Sequence, residues 1–228
     1  MTILLGYRGA GFSFLAADTR RRDHVTGAVR RVSKVHKLSN SLLVGQGGAG
    51  TGAADEVVKA IKAQPAEKVS EIEGCVAAVH DCAPAIMRVA LTAWSSRGRL
   101  MPPTCLVIAY VDQCGFGRHT LIDLVSGHQT DLADERLYVA GTNTRHFLAL
   151  AETRWEEFSS ANGCPQVPLD VFASKVIDDA ARADPNNVGM PCDVGIVRVN
   201  GSVSEVFMEE RADCDAPASS DYCVQARN

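Results

Sequence analysis

Four features near the start of the chain have the side-chain or backbone chemistry to break an amide bond together: Thr2, Asp18, Lys34 and the Gly47-Gly48 pair. A threonine at a free N-terminus carries a hydroxyl nucleophile and an α-amino base on one residue. Thr2 stands directly behind Met1, and methionine removal is favoured before a small residue, so the mature chain is expected to begin with Thr2. An unperturbed α-amine has a pKa of about 7.7–8.0 and is largely protonated at neutral pH. A cationic lysine nearby would depress that pKa by repulsion and the hydroxyl's by attraction for the alkoxide. Such a lysine must itself be held, which a buried aspartate can do. Backbone N–H groups must face the developing oxyanion, and glycine lets the backbone come close enough. Singly, each feature has a plainer reading: Asp18 in a turn, Lys34 at a solvated strand start, the glycines as a loop. The combination is what points to chemistry.

The elements that must position these residues are legible as pattern. Thr2–Tyr7 alternates around an apolar face and reads as a strand, and Arg8-Gly9-Ala10-Gly11 as a tight turn. Phe12–Ala17 is an almost continuous apolar run, expected to be buried on both faces. Asp18 then ends the hairpin partner of the strand that Thr2 opens. Thr19–Val29 is polar and reads as irregular. Val32–Leu38 and Leu42–Gly45 read as a hairpin, with Lys34 near its start. The run Gly45-Gln46-Gly47-Gly48-Ala49-Gly50-Thr51-Gly52 opens into a helix over Ala53–Lys62, with Thr51 as the expected N-cap. A second helix is expected over Lys68–Trp94, from apolar residues at helical spacing. Strands follow at Thr104–Val111, Gly115–Asp123 and Arg136–Ala140. Helices follow at Thr144–Ser159 and Leu169–Ala183. A last hairpin runs Cys192–Val199 and Ser202–Met208 around Asn200-Gly201. Helices thus come in pairs between groups of strands, which argues against a doubly wound parallel sheet. The pattern favours an α+β chain with two stacked antiparallel sheets and helix pairs outside. Residues 1–210 read as one domain and 211–228 as a polar, frayed tail.

Composition narrows the function classes. The 228 residues carry a net charge of −4, which supplies no basic face for nucleic acid. The Arg20-Arg21-Arg22 and Arg30-Arg31 clusters read as a solvated loop or subunit contact. Eight cysteines are scattered without a CxxC pair, so reduced thiols are expected rather than a disulfide framework or a metal site. The six histidines lie dispersed, and no metal or cofactor is expected. The glycine run lacks the lysine of a GxxxxGK[ST] phosphate loop. The apolar N-terminus lacks a basic leader region, and no stretch reads as long enough for a transmembrane helix. A cytoplasmic protein with no membrane partner is the expectation.

Taken further, Thr2-Ile3-Leu4-Leu5-Gly6, Leu15-Ala16-Ala17-Asp18-Thr19-Arg20, Lys34-Val35-His36-Lys37-Leu38 and Gly48-Ala49-Gly50-Thr51 with Ala53-Ala54-Asp55 resemble catalytic β-type subunits of the proteasome family. Tyr138-Val139-Ala140-Gly141-Thr142-Asn143-Thr144 resembles that family's Gly-Ser-Gly-Ser turn, and Asp193-Val194-Gly195-Ile196-Val197 its C-terminal strand. The resemblance runs over about residues 2–208 and is closest to the bacterial members: the betaproteobacterial proteasome homologue first, with Anbu and HslV as alternatives. It implies a four-layer αββα sandwich of the N-terminal-nucleophile hydrolase type. It also implies threonine-type endopeptidase activity on protein or peptide substrates, and identical subunits in stacked rings. An ATPase unfoldase partner leaves no mark in this sequence.

Carried over residue by residue, Thr2 matches the family's nucleophile and base, and Asp18 and Lys34 its charged pair. A gapless count from Lys34 makes Gly48 the oxyanion donor; matching the Gly-Ala-Gly-Thr motif makes it Gly50. Thr142 stands where the family has serine, and Asp184 is the match for its supporting aspartate, both around the terminal amine. No serine matches the family's second support. Two other functions remain open: a ring subunit that is a scaffold or binding chamber with little peptidase activity, and a small-molecule amidase of the same nucleophile class.

Overall fold

A computed structural model describes residues 2–22, 26–48, 52–132, 137–141, 143–160, 166–199 and 203–207. The chain is α+β. Its strands and helices, in order, are β1 (Ile3–Gly9), β2 (Phe12–Asp18), β3 (Arg20–Arg22), β4 (Val29–Arg31), β5 (Val35–Lys37), β6 (Leu43–Gly48), α1 (Ala53–Lys62), α2 (Ala66–Val69), α3 (Ile72–Ser95), β7 (Thr104–Val111), β8 (Gly117–Asp123), β9 (Gln129–Asp131), β10 (Leu137–Gly141), α4 (Thr144–Phe158), α5 (Leu169–Ala183), β11 (Cys192–Arg198) and β12 (Val203–Phe207). One five-stranded sheet has the order β10-β1-β2-β11-β12, the other β5-β6-β7-β8-β9, and every pairing is antiparallel.

Each sheet buries apolar residues on both faces, which is why the strand runs read as nearly continuous rather than alternating. Along β2, Phe14 and Ala16 join α4 and α5 through Phe147, Phe172 and Val176. The intervening Leu15 and Ala17 meet Leu43, Val107 and Ala109 of the other sheet. On β6 the division repeats: Leu43 faces the first sheet, while Val44 joins Val57, Ile61 and Val79 of α1 and α3. The period of two in a strand sends successive side chains to opposite faces, so one strand serves both contacts. Trp155 of α4 lies with its ring centroid 4.1 Å from Tyr7 and 5.2 Å from Phe172, so the helix packs on the first sheet through it.

Several expectations are corrected. Thr19–Val29 is not wholly irregular, because β3 pairs with β4 as an antiparallel ribbon, Arg21 opposite Arg30. The arginines carry no apolar periodicity, so the ribbon was invisible in the pattern. The expected helix over Lys68–Trp94 is two helices, α2 and α3, broken at Ser70-Glu71. α3 is also long and apolar enough to cross a membrane by length and composition, contrary to the sequence reading. Its buried face, Cys75, Val79, Ala83 and Met87, packs into the protein core. The short edge strand β9 was not foreseen. Gly52, in the left-handed region with φ 75°, stands at the N-cap of α1. Thr51, the Asn200-Gly201 turn and the 211–228 tail lie outside the described residues.

A buried polar contact crosses between the sheets at His119. His119 of β8 is fully buried, its Nε2 2.9 Å from Ser13 Oγ and 3.2 Å from the Phe14 carbonyl. Burial pushes its pKa down to about 3, with the nearby Arg8 charge adding to the effect. The unfolded chain binds a proton at His119 below about pH 6.5, while the folded chain does not until about pH 3. Stability present above pH 6.5 is therefore lost as the pH falls through that window. Urea titrations between pH 7 and pH 3 should show a loss of about 4 kcal/mol from this group, and the fall should be shallower in His119→Gln.

Candidate functional site

The site assembles where the first sheet's β1–β2 hairpin meets the segment entering the second sheet. Asp18 is the last residue of β2 and is fully buried. Its Oδ1 accepts the Ile3 backbone N–H at 3.0 Å and the Lys34 ammonium at 2.9 Å. Its Oδ2 accepts the Arg20 backbone N–H at 3.2 Å. Lys34 lies just before β5, is 1% exposed, and donates a second bond to the Arg20 carbonyl at 2.6 Å. One carboxylate thus ties the residue after Thr2 to a buried ammonium. Thr2 is itself buried.

The electrostatics of the pair follow from burial. Desolvation raises the Asp18 carboxyl above the usual carboxylate range, and Lys34 opposes it by charge and hydrogen bond. Desolvation lowers the Lys34 ammonium below the usual lysine range, and Asp18 opposes that shift. Arg21 adds a further cation that lowers Lys34.

Glycines bring backbone to this point. Gly141 ends β10, opposite Ile3 in the register, at φ 124°. A Cβ on Gly141 would stand 1.9 Å from the Thr2 carbonyl oxygen and 3.5 Å from the Gly48 backbone nitrogen. Thr2 and Gly48 therefore border the same small space, which only glycine leaves open. Gly48 itself ends β6 at φ 106°, and a Cβ there would lie 2.2 Å from the Pro103 carbonyl oxygen.

Thr2, Asp18, Lys34 and Gly48 thus come together from the residue ahead of β1, the end of β2, the β5 approach and the end of β6. Asp184 caps the C-terminus of α5, where its carboxylate accepts two hydrogen bonds from Asn187 Nδ2, at 2.9 and 3.0 Å. Thr142 and Gly50 lie outside the described residues. Among the described residues no group of three or more His, Cys, Asp or Glu side chains could hold a metal.

Pattern reading missed three contributors. Arg21 is not solvated: it is 6% exposed, forms an ion pair with Asp55 of α1, and has Nη2 2.8 Å from Asp55 Oδ1. Its Nη2 also reaches Gln46 Oε1 at 3.4 Å, and Gln46 Nε2 donates to His36 Nε2 at 2.8 Å. Burial, with help from Lys62 and Arg21, pushes His36 down to about 4, so it is neutral at pH 7 and accepts this bond. Gly141 was quoted only within a motif. Asp193 of β11 binds the backbone that carries Lys34. The acidic first turn of α1 is the one sequence signal that could have hinted at a partner for Arg21.

Other arrangements carry less. Ser13 and His119 form a serine–histidine contact, but both are fully buried between the sheets, out of reach of any substrate. The cleft between α3 and the β8–β9 turn is lined by Val79, Ala83, Met87 and Leu124, and none of Thr2, Asp18, Lys34 and Gly48 borders it. In comparisons with known proteins, no family model matches the chain and no curated protein matches it.

Removing one partner of a buried pair strands the other charge, at a cost of about 3–5 kcal/mol, whereas removing both avoids that penalty. Asp18→Asn and Lys34→Met should each lose stability of that order in denaturant unfolding. The double variant should lose clearly less than the two losses added, and a strictly additive cycle would contradict the pairing.

Proposed function

We propose that this chain is a threonine-type endopeptidase of the N-terminal-nucleophile class, acting after removal of Met1. The observation that carries the reading is the Asp18 carboxylate, which joins the backbone next to Thr2 to the buried Lys34 ammonium. The two antiparallel sheets, with apolar clusters between them and under the helices, support a four-layer αββα sandwich. The proposal extends to a cytoplasmic, self-compartmentalising assembly in which identical subunits form stacked rings around protein or peptide substrates.

In this mechanism the Thr2 Oγ1 attacks the scissile carbonyl carbon, and its proton passes through water to the Thr2 α-amine. The carbonyl oxygen becomes an oxyanion facing the Gly48 backbone N–H, a donor whose dipole needs no reorganisation. The ammonium then gives its proton to the leaving amine as the C–N bond breaks, leaving an ester on Thr2. Water activated by the same amine hydrolyses that ester and restores both groups. Lys34 acts on both groups of Thr2: its charge favours the neutral amine and stabilises the alkoxide. Asp18 holds Lys34 charged and fixed. Arg21, paired with Asp55, adds positive potential behind the lysine. Thr142 and Asp184 are the residues we assign to support of the terminal amine.

Intact-mass measurement should show the purified chain short by one methionine. Fluorogenic peptides should be cleaved by the native chain and not by Thr2→Ala, whose loss should be at least about 1,000-fold in kcat. Cleavage at the native rate by Thr2→Ala would sink the mechanism.

A further inference from the structure

Asp193 is a buried acid that the proposed chemistry does not use. It lies on β11, one residue past Cys192, which pairs across the sheet with Asp18. It is 3% exposed, yet its carboxylate makes no ion pair at contact distance with an ammonium or guanidinium among the described residues. Its Oδ2 instead collects three donors from one short segment of the other sheet. These are the Lys34 backbone N–H at 2.6 Å, the Ser33 hydroxyl at 2.9 Å and the Val35 backbone N–H at 3.4 Å. Ser33 and Lys34 lie just ahead of β5, where a backbone bond from the Gln46 N–H to the Lys34 carbonyl at 2.8 Å holds the segment on the β6 side and Asp193 holds its N–H groups on the other. A buried carboxylate is costly unless it is hydrogen-bonded, and here all of those bonds are spent on three consecutive residues.

We propose that Asp193 is a positioning residue for Lys34. Its carboxylate clamps the backbone of residues 33–35 and so fixes where the Lys34 side chain leaves the sheet and meets Asp18. The proposal rests on the peptidase reading for its catalytic consequence, but the clamp is a property of the chain whatever the activity. Lys34 is held from two directions. Asp18 of β2 takes the ammonium, and Asp193 of β11 takes the backbone. The clamp also joins the two sheets, because β11 belongs to the first and β5 to the second. Its negative charge favours the Lys34 ammonium as well. The charged groups acting on Lys34 are therefore Asp18, Asp193 and Arg21. The neighbouring Cys192 thiol, pushed up to about 12 by burial, stays neutral at physiological pH.

Two variants separate charge from clamp. Asp193→Asn keeps an acceptor oxygen of the same reach and removes the charge, whereas Asp193→Ala removes both. Protein labelled with 13C at lysine Cε, with Lys34→Arg assigning the signal, reports the Lys34 titration directly. The midpoint should move to lower pH in Asp193→Asn and further in Asp193→Ala. In peptide cleavage, kcat of folded Asp193→Ala should fall about 100-fold with KM little changed, as expected for a misplacement near 1 Å. Equal midpoints in the two variants, or a native midpoint in both, would overturn the clamp. Should Asp193→Ala not fold, Asp193→Ser takes its place, lacking both the charge and the reach: a Lys34 midpoint equal to that of Asp193→Asn overturns the clamp, and a lower one with native KM and reduced kcat supports it. Shifted midpoints in a protein without peptidase activity would leave the clamp standing and remove the function proposed above.

Discussion

The structure depends on one fully buried carboxylate. Asp18 is shared among the Ile3 backbone, the Lys34 ammonium and the Arg20 backbone, with no exposure to water. Leaving any of those partners unpaired would strand a buried polar or charged group, a penalty comparable to a sizeable part of a domain's net stability. The arrangement is therefore close to all-or-none. Either β1, β2 and the β5 approach occupy their places together, or the charge cannot be buried. A pair of apolar residues would have filled the same volume at less electrostatic cost. Keeping the ions is hard to justify by stability alone, and this is the physical reason to read Asp18 and Lys34 as chemistry.

The remaining architecture brings that carboxylate into register. Antiparallel pairing sets Ile3 opposite Gly141 and Cys192 opposite Asp18, so one end of the first sheet gathers Thr2, Asp18 and Asp193. On the second sheet, β6 delivers Gly48 to the space beside Gly141. Two glycines at positive φ are what let three strand ends converge there without a side chain between them. The apolar contacts of Leu15 and Ala17 with Leu43 and Val107 hold the sheets at the required spacing. A change in sheet packing would thus be felt as a change in the Lys34–Asp18 distance.

What the sequence revealed follows the range of the interactions involved. The β1–β2 hairpin was legible because an apolar run, a Gly9-Ala10-Gly11 turn and a second apolar run are local signals. The helices α1, α4 and α5 were legible for the same reason, through their repeating apolar face. Asp18 and Lys34 could be nominated together because only 16 positions separate them. Asp193 could not: its bond to Lys34 spans 159 positions, and an aspartate at a strand start has no distinguishing pattern. Arg21 was misread because its neighbours are also arginines, while its partner Asp55 sits on a helix that follows three further strands. The β3–β4 ribbon and the break between α2 and α3 are decided by such distant packing, not by local propensity.

The central claim is that Thr2 supplies hydroxyl and amine to one reaction. A peptide epoxyketone tests both at once, because stable ring formation consumes the oxygen and the nitrogen of a single amino-terminal threonine. Peptide mapping after incubation should find one adduct per chain, on a Thr2 that has lost Met1, with both Oγ1 and the α-nitrogen bonded to the reagent. No adduct on a chain that begins at Thr2, or an adduct on another residue, would contradict the account.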